Sequence, residues 1–164
     1  MGVARRSIAD FSRQEFEALR ERLEFARETL HCGGAFLQAV ARAYYVVFAL
    51  ASFLAGKYGV RATHVRGRNQ VTDQDFSHSE LPSLVYALYC GNKKENVKDP
   101  GSSPGIGSGN YNERAAYRSA DMLMETRLEA DYGPSSVPEP YGKEQADRWL
   151  TIAKNLTMDL ETLL

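Results

Sequence analysis

The run AYYVVFALASFLA, Ala43 to Ala55, constrains this chain more than any other stretch. Phe36, Leu37, Val40, Ala41, Tyr44, Tyr45, Val47, Phe48, Ala51 and Leu54 would cover most of the circumference of a helix from about Ala35 to Tyr58. A helix that is apolar on most of its faces needs neighbours on more than one side. The unbroken apolar run falls short of the ~20 residues that a bilayer crossing requires, so the reading is a buried central helix. Lys57 and Gly59 in KYGV supply a cationic last turn and a stop.

Three further long segments have a helical period, and each offers the central helix one apolar stripe. The first spans about Phe11 to Leu30, with a capping box expected at Ser12 to Glu15 and a stripe of Phe16, Leu19, Leu23, Phe25, Ala26 and Leu30. Gly33-Gly34 is expected to end it and turn the chain. The next begins near Tyr111 behind a cap at Asn110 to Glu113, carries Ala116, Ala120, Leu123, Met124 and Leu128 inward, and ends around Asp131 to Gly133. The last runs from about Lys143, with Ala146, Trp149, Leu150, Ala153, Leu156, Leu160 and Leu163 on one side. SELPSLVYALYC reads as a short extra helix with Pro82 in its first turn. No segment alternates with period two. The pattern therefore predicts an all-α fold, an antiparallel four-helix bundle with an extra short helix.

Between these elements, GNKKENVKDPGSSPGIGSGN, residues 91–110, is rich in Gly, Ser and Pro and has little to bury. It is expected to be a mobile loop, either functional or a tolerated insertion. PSSVPEPYG reads as a linker. The 164 residues suit one domain, 1–164, with one core.

Composition removes several function classes. Charged residues make up 25% and the formal net charge is -1, so there is no global basic bias toward nucleic acid. Any such contact needs a local patch. The densest is RATHVRGRNQ, where Arg61, His64, Arg66 and Arg68 are candidate phosphate contacts. Solvated loop surface, with His64 as a helix cap or polar core residue, is the plainer account. Cys32 and Cys90 have no metal spacing and read as buried thiols in a reducing cytoplasm, although spacing alone leaves a disulfide open. MGVARRSIADF lacks the apolar core of a secretory signal and has Arg6 where myristoylation needs Ser or Thr. PGIGSG lacks the Lys-Ser/Thr of a P-loop. Zinc spacing and a Gly-x-Ser-x-Gly elbow are both missing from the sequence. The expected cofactor and metal complement is none.

Two pieces carry a resemblance to a known family. ARAYYVVFALASFLAGKYGVRATHVRG, Ala41 to Gly67, resembles the second helix and following turn of HEPN-domain proteins, with their Arg-Ala-Tyr-Tyr-x-x-Phe core and a Thr-His soon after. RLEADYGPSSVPEPYGKEQADRWLTIAKNLTMDLETLL, Arg127 to Leu164, is similar to their C-terminal part, where Arg-x-x-Ala-Asp-Tyr leads into the fourth helix. The nearest likeness is to small stand-alone prokaryotic HEPN proteins. The resemblance covers somewhat under half of the chain, and the spacing between its two pieces exceeds the family's by about the Gly/Ser-rich loop.

That resemblance implies a homodimer acting in toxin-antitoxin or phage-defence systems, on or near RNA, or a non-catalytic subunit assembled with a nucleotidyltransferase or other effector. Active members carry an Arg, four to six residues, then a His. The guanidinium holds the phosphate and the imidazole moves a proton, so a metal is not needed. Here Arg127 is kept and four residues follow, but the next is Tyr132. A phenol with a pKa near ~10 is a poor base at neutral pH. Arg127, Asp131 and Tyr132 are the candidate catalytic residues of a degenerate site, and an ordinary polar helix end is the alternative. None of His31, His64 or His78 follows an Arg at the family's spacing.

Overall fold

A computed structural model describes residues 7–29, 33–60, 76–91, 104–132 and 142–164; at 33, 34 and 129–132 only the backbone is described. The described chain is all-α: α1 (Ile8–Glu28), α2 (Gly33–Tyr58), a 3-10 turn (His78–Glu80), α3 (Leu81–Cys90), α4 (Glu113–Tyr132) and α5 (Lys143–Glu161). Among the described residues the only β-type pairing is an isolated bridge between Ser108 and Asn112.

Helix α2 is central, as its apolar circumference requires. It packs against α1, α3, α4 and α5. Val40, Ala43, Tyr44, Val47, Leu50, Ala51, Leu54 and Ala55 are all buried in a core shared by all five helices. Each large apolar side chain so covered contributes roughly 1.5–3 kcal/mol. The expectation that no apolar run reaches membrane-spanning length needs correcting. Ala35–Tyr58 is 24 residues long with mean hydropathy 1.6, enough by length and composition. However, 61% of its most apolar window is buried inside the protein, against the other helices.

Helix starts differ from the sequence reading in instructive ways. The capping box on α1 is Ser7 with Asp10, not Ser12 with Glu15. Asp10 N–H donates to Ser7 Oγ at 3.1 Å, and Ser7 N–H donates to Asp10 Oδ2 at 3.3 Å. Both pairs have the same spacing. The earlier one is used because Ile8 reaches the core and draws the helix back a turn. Ser12 is then a buried mid-helix residue, donating to the Ile8 carbonyl at 2.9 Å. Nor does Gly33-Gly34 end α1. That helix stops at Glu28, where the Thr29 hydroxyl donates to Ala26 O, and Gly33 opens α2. On α4 the cap is Asn112, whose Oδ1 accepts from Ala115 N–H at 2.9 Å, rather than Asn110. Phe25 and Leu128, placed on inward stripes, are exposed. Gly59, by contrast, ends α2 as expected, with φ +64.

Asn110 has a different task. The buried carboxylate of Asp159 on α5 accepts from Asn110 N–H (2.8 Å), Asn110 Nδ2 (2.9 Å), Tyr111 N–H (3.2 Å) and the Tyr89 hydroxyl of α3. Burial, then the Asp159 hydrogen bond, push the Tyr89 phenol far above its ordinary pKa, so it stays a donor. A Cβ at Gly109 would collide with the same carboxylate. Gly107 N–H donates to Tyr89 O at 3.0 Å, and Ile106 packs on the core. The mobile-loop expectation for 91–110 therefore does not extend to 104–110, and 92–103 lies outside the described residues.

Helices α1 and α5 run antiparallel, tied at one end by Lys143 to Glu24 (2.8 Å) and at the other by Arg13 to Glu161 (3.9 Å). The end of the chain is fastened to α2, where Lys57 Nζ and the Tyr58 hydroxyl donate to the Leu163 carbonyl.

Asp159→Ala should destabilise the protein by about 3 kcal/mol in urea unfolding, because it strands several buried donors at once. Gly109→Ala should cost about 2 kcal/mol through the clash with the same group. A loss below the error of the measurement for both would show that this node does not hold the fold.

Candidate functional site

Arg127 is the one proposed catalytic residue whose side chain the structure describes. It lies on the face of α4 that packs against α2, and only 7% of it is exposed. Burying a guanidinium is costly without compensation. Two tyrosines from successive positions on α2 help to supply it. The Arg127 Cζ lies 5.4 Å from the ring centroids of both Tyr44 and Tyr45, in cation–π range. Its Nε and Nη2 also donate to the Tyr45 hydroxyl at 3.3 and 3.2 Å.

The neighbours of these tyrosines complete the cluster. Their rings pack edge to face at 5.4 Å. His78, on the 3-10 turn before α3, lies against Tyr44, Tyr45 and Phe48, with centroid separations of 5.7, 5.5 and 4.3 Å. The turn is set by Ser77 N–H donating to the Glu80 carboxylate at 3.2 Å. Tyr44 is fully buried, whereas Tyr45 is 40% exposed. A face of aromatics on α2 thus joins a cation from α4 to an imidazole that precedes α3.

Tyr44 meets that imidazole at its Nδ1 and at its backbone carbonyl. The Tyr44 hydroxyl lies 3.1 Å from both the carbonyl oxygen and the Nδ1 of His78. Burial pushes the Tyr44 phenol well above its ordinary pKa, against the opposing pull of Arg127, so it remains a neutral O–H. A carbonyl can only accept, so when the Tyr44 proton goes there the hydroxyl oxygen is left to accept from an Nδ1–H, the arrangement that satisfies both contacts.

The other expected site residues are distributed as follows. Asp131 and Tyr132 occupy the last turn of α4, and their side chains lie outside the described residues. Arg61, His64, Arg66 and Arg68 also lie outside them, as does Cys32. Cys90 is a half-buried free thiol rather than a fully buried one. Tyr44 and Phe48 belong to the core or its edge, as their spacing predicts, while Tyr45 faces partly outward. His78 is the residue that sequence spacing missed. It stands 49 positions before Arg127, and no linear pattern links the two. Among the described residues no group of three or more His, Cys, Asp or Glu side chains is placed to hold a metal.

Comparison with protein-family models, with curated proteins and with solved structures finds no match. Two segments singled out in the sequence are Arg-Ala-Tyr-Tyr-x-x-Phe at 42–48 and Arg-x-x-Ala-Asp-Tyr at 127–132. The contact between Arg127 and Tyr44-Tyr45 brings those two segments together.

Tyr45→Phe removes an acceptor from a buried cation and should cost about 1–2 kcal/mol in stability with the helix content unchanged. Nitrogen NMR of the neutral protein should show His78 protonated at Nδ1 and bare at Nε2. The opposite tautomer would mean that Tyr44 donates to the ring instead.

Proposed function

We propose that this chain is a HEPN-type helical protein that works as a homodimer on RNA, in a cytoplasmic prokaryotic defence or toxin-antitoxin setting. The architecture in this reading is an antiparallel bundle of α1, α2, α4 and α5 with α3 as the extra short helix. The opposed ends of α1 and α5 support that for one pair. The observation that carries the functional reading is the meeting of Arg127, Tyr45 and His78 on one aromatic face. A phosphate at Tyr45 would feel the guanidinium behind the hydroxyl, and the His78 imidazole would be the proton-transfer group that position 132 does not provide. Asp131 and Tyr132, one turn on from Arg127, remain candidate contributors, as do the basic residues Arg61, His64, Arg66 and Arg68 for phosphate.

A second reading, a non-catalytic subunit that assembles with a nucleotidyltransferase or another effector, is favoured by a separate observation. Tyr45, Ala49 and Phe53 recur at four-residue intervals on the exposed side of α2, and Leu128 beside Arg127 is also exposed. Such a stripe suits a second helical surface. In this reading the deep burial of Arg127 sets the shape of the stripe rather than binding phosphate.

The two readings separate in one set of measurements. Cleavage of single-stranded RNA in chelator should fall at least ~100-fold in His78→Asn and in Arg127→Ala, with Tyr132→His raising it. RNA affinity should drop with salt. Light scattering should report a dimer at tens of micromolar, a concentration on the order of the weak-association range. A dimer that neither binds nor cuts RNA, and whose association is lost in Phe53→Glu, belongs to the second reading. Cleavage that survives His78→Asn but not Tyr132→Phe would make the phenol the working group.

A further inference from the structure

A cleft of about 450 Å³ opens between α1 and α5. It shares no residue with the aromatic cluster. Arg13, Phe16 and Glu17 line it from α1, and Lys154, Thr157, Met158 and Glu161 from α5. Two of these residues have buried oxygens that the fold leaves without a hydrogen bond, Thr157 Oγ1 and Glu161 Oε1. They stand one turn apart on the same helix face.

Ser52 Oγ on α2 is left in the same way, but Thr157 and Glu161 stand together at the cleft. Elsewhere in the chain Ser12, Thr126 and Thr151 donate to the carbonyl four residues back, at 2.9, 2.9 and 2.8 Å. Thr157 does not, although only 2% of it is exposed. The Glu161 side chain is 12% exposed, and burial pushes its carboxyl above the ordinary carboxylate range, partly offset by Arg13 and reinforced by Asp10. Stranded buried polar atoms cost free energy that a bound donor would recover.

The charges around the orphans define what would fit. Arg13 Nη2 stands 3.9 Å from Glu161 Oε2 and its Nη1 stands 3.8 Å from Asp10 Oδ1, leaving Glu161 Oε1 for a second donor. A protein carboxylate and a protein cation thus sit side by side, matching the adjacent ammonium and carboxylate of an α-amino acid. Phe16 at the floor and Met158 at the rim offer apolar surface for its side chain. Both orphan oxygens are closed to bulk water, so an occupant reaches them only by a local rearrangement of the cleft lining. Met158, unbranched and 49% exposed, has that freedom.

We propose that the α1–α5 cleft binds a free α-amino acid with an apolar side chain, its ammonium on Glu161 Oε1 and Thr157 Oγ1, its carboxylate on Arg13, and its side chain on Phe16 and Met158. The site is independent of any action on RNA.

Titrating the full chain with L-leucine and L-phenylalanine, and reading the methyl NMR signals of Thr157 and Met158, tests this directly. A saturable shift below about 10 mM, a range accessible to ligands of this size, is expected. N-acetyl-L-leucine, which lacks the ammonium, should produce no shift. Leucinamide, which lacks the carboxylate, should bind roughly 5-fold more weakly. Glu161→Gln should weaken leucine at least ~10-fold and Thr157→Val roughly 5-fold. The proposal fails if neither amino acid shifts these methyls, if N-acetyl-L-leucine does so equally, or if Glu161→Gln binds as tightly as the parent. Equal binding of leucinamide would overturn the zwitterion in favour of a plain amine. If either variant does not fold, the comparison of free with acetylated leucine on the parent protein decides.

Discussion

The rest of this structure depends on the burial of α2. A helix with aromatic and aliphatic residues on most of its circumference cannot lie at the edge of a soluble fold, because water would meet an apolar face wherever a neighbour was missing. Helices α1, α3, α4 and α5 are arranged so that each covers a sector of it. That arrangement gives the amphipathic stripes of α1, α4 and α5 a common partner. It also fixes which polar residues of those helices end up inside.

Two polar nodes make the packing specific, since apolar surface alone would tolerate sliding and rotation. Asp159 joins α5 to α3 and to the turn before α4 through oriented donors, and Gly109 leaves the space the carboxylate needs. Arg127 joins α4 to α2 through two rings and a hydroxyl. Each node fixes the rotation of its helix, because a turn of the helix would strand a buried charge or donor. The Arg127 node also brings His78 to the same tyrosines, so one packing solution creates the only described place where a guanidinium, a phenol and an imidazole share a face.

Much of the fold was legible in the residues. The apolar periods located every helix, Pro82 marked the start of α3, and Gly59 marked the end of α2. Local signals failed where two alternatives were chemically equal. Ser7-x-x-Asp10 and Ser12-x-x-Glu15 offer the same capping geometry, and core contact by Ile8 chose between them. Asn110 and Asn112 can both cap, but Asp159, distant in sequence, claimed the first. Phe25 and Leu128 show the limit of stripe reading, since a residue one step off the face is exposed by geometry whatever its hydrophobicity.

The sequence by itself determined an all-helical chain and a central second helix, because those follow from short-range periodicity and residue chemistry. Only the tertiary structure decided what Arg127 touches, that His78 joins it, and that Thr157 and Glu161 are left with buried oxygens beside a cleft. Those depend on how helices far apart in sequence are rotated against one another, and that rotation is set by packing around α2. No spacing within a single segment encodes it.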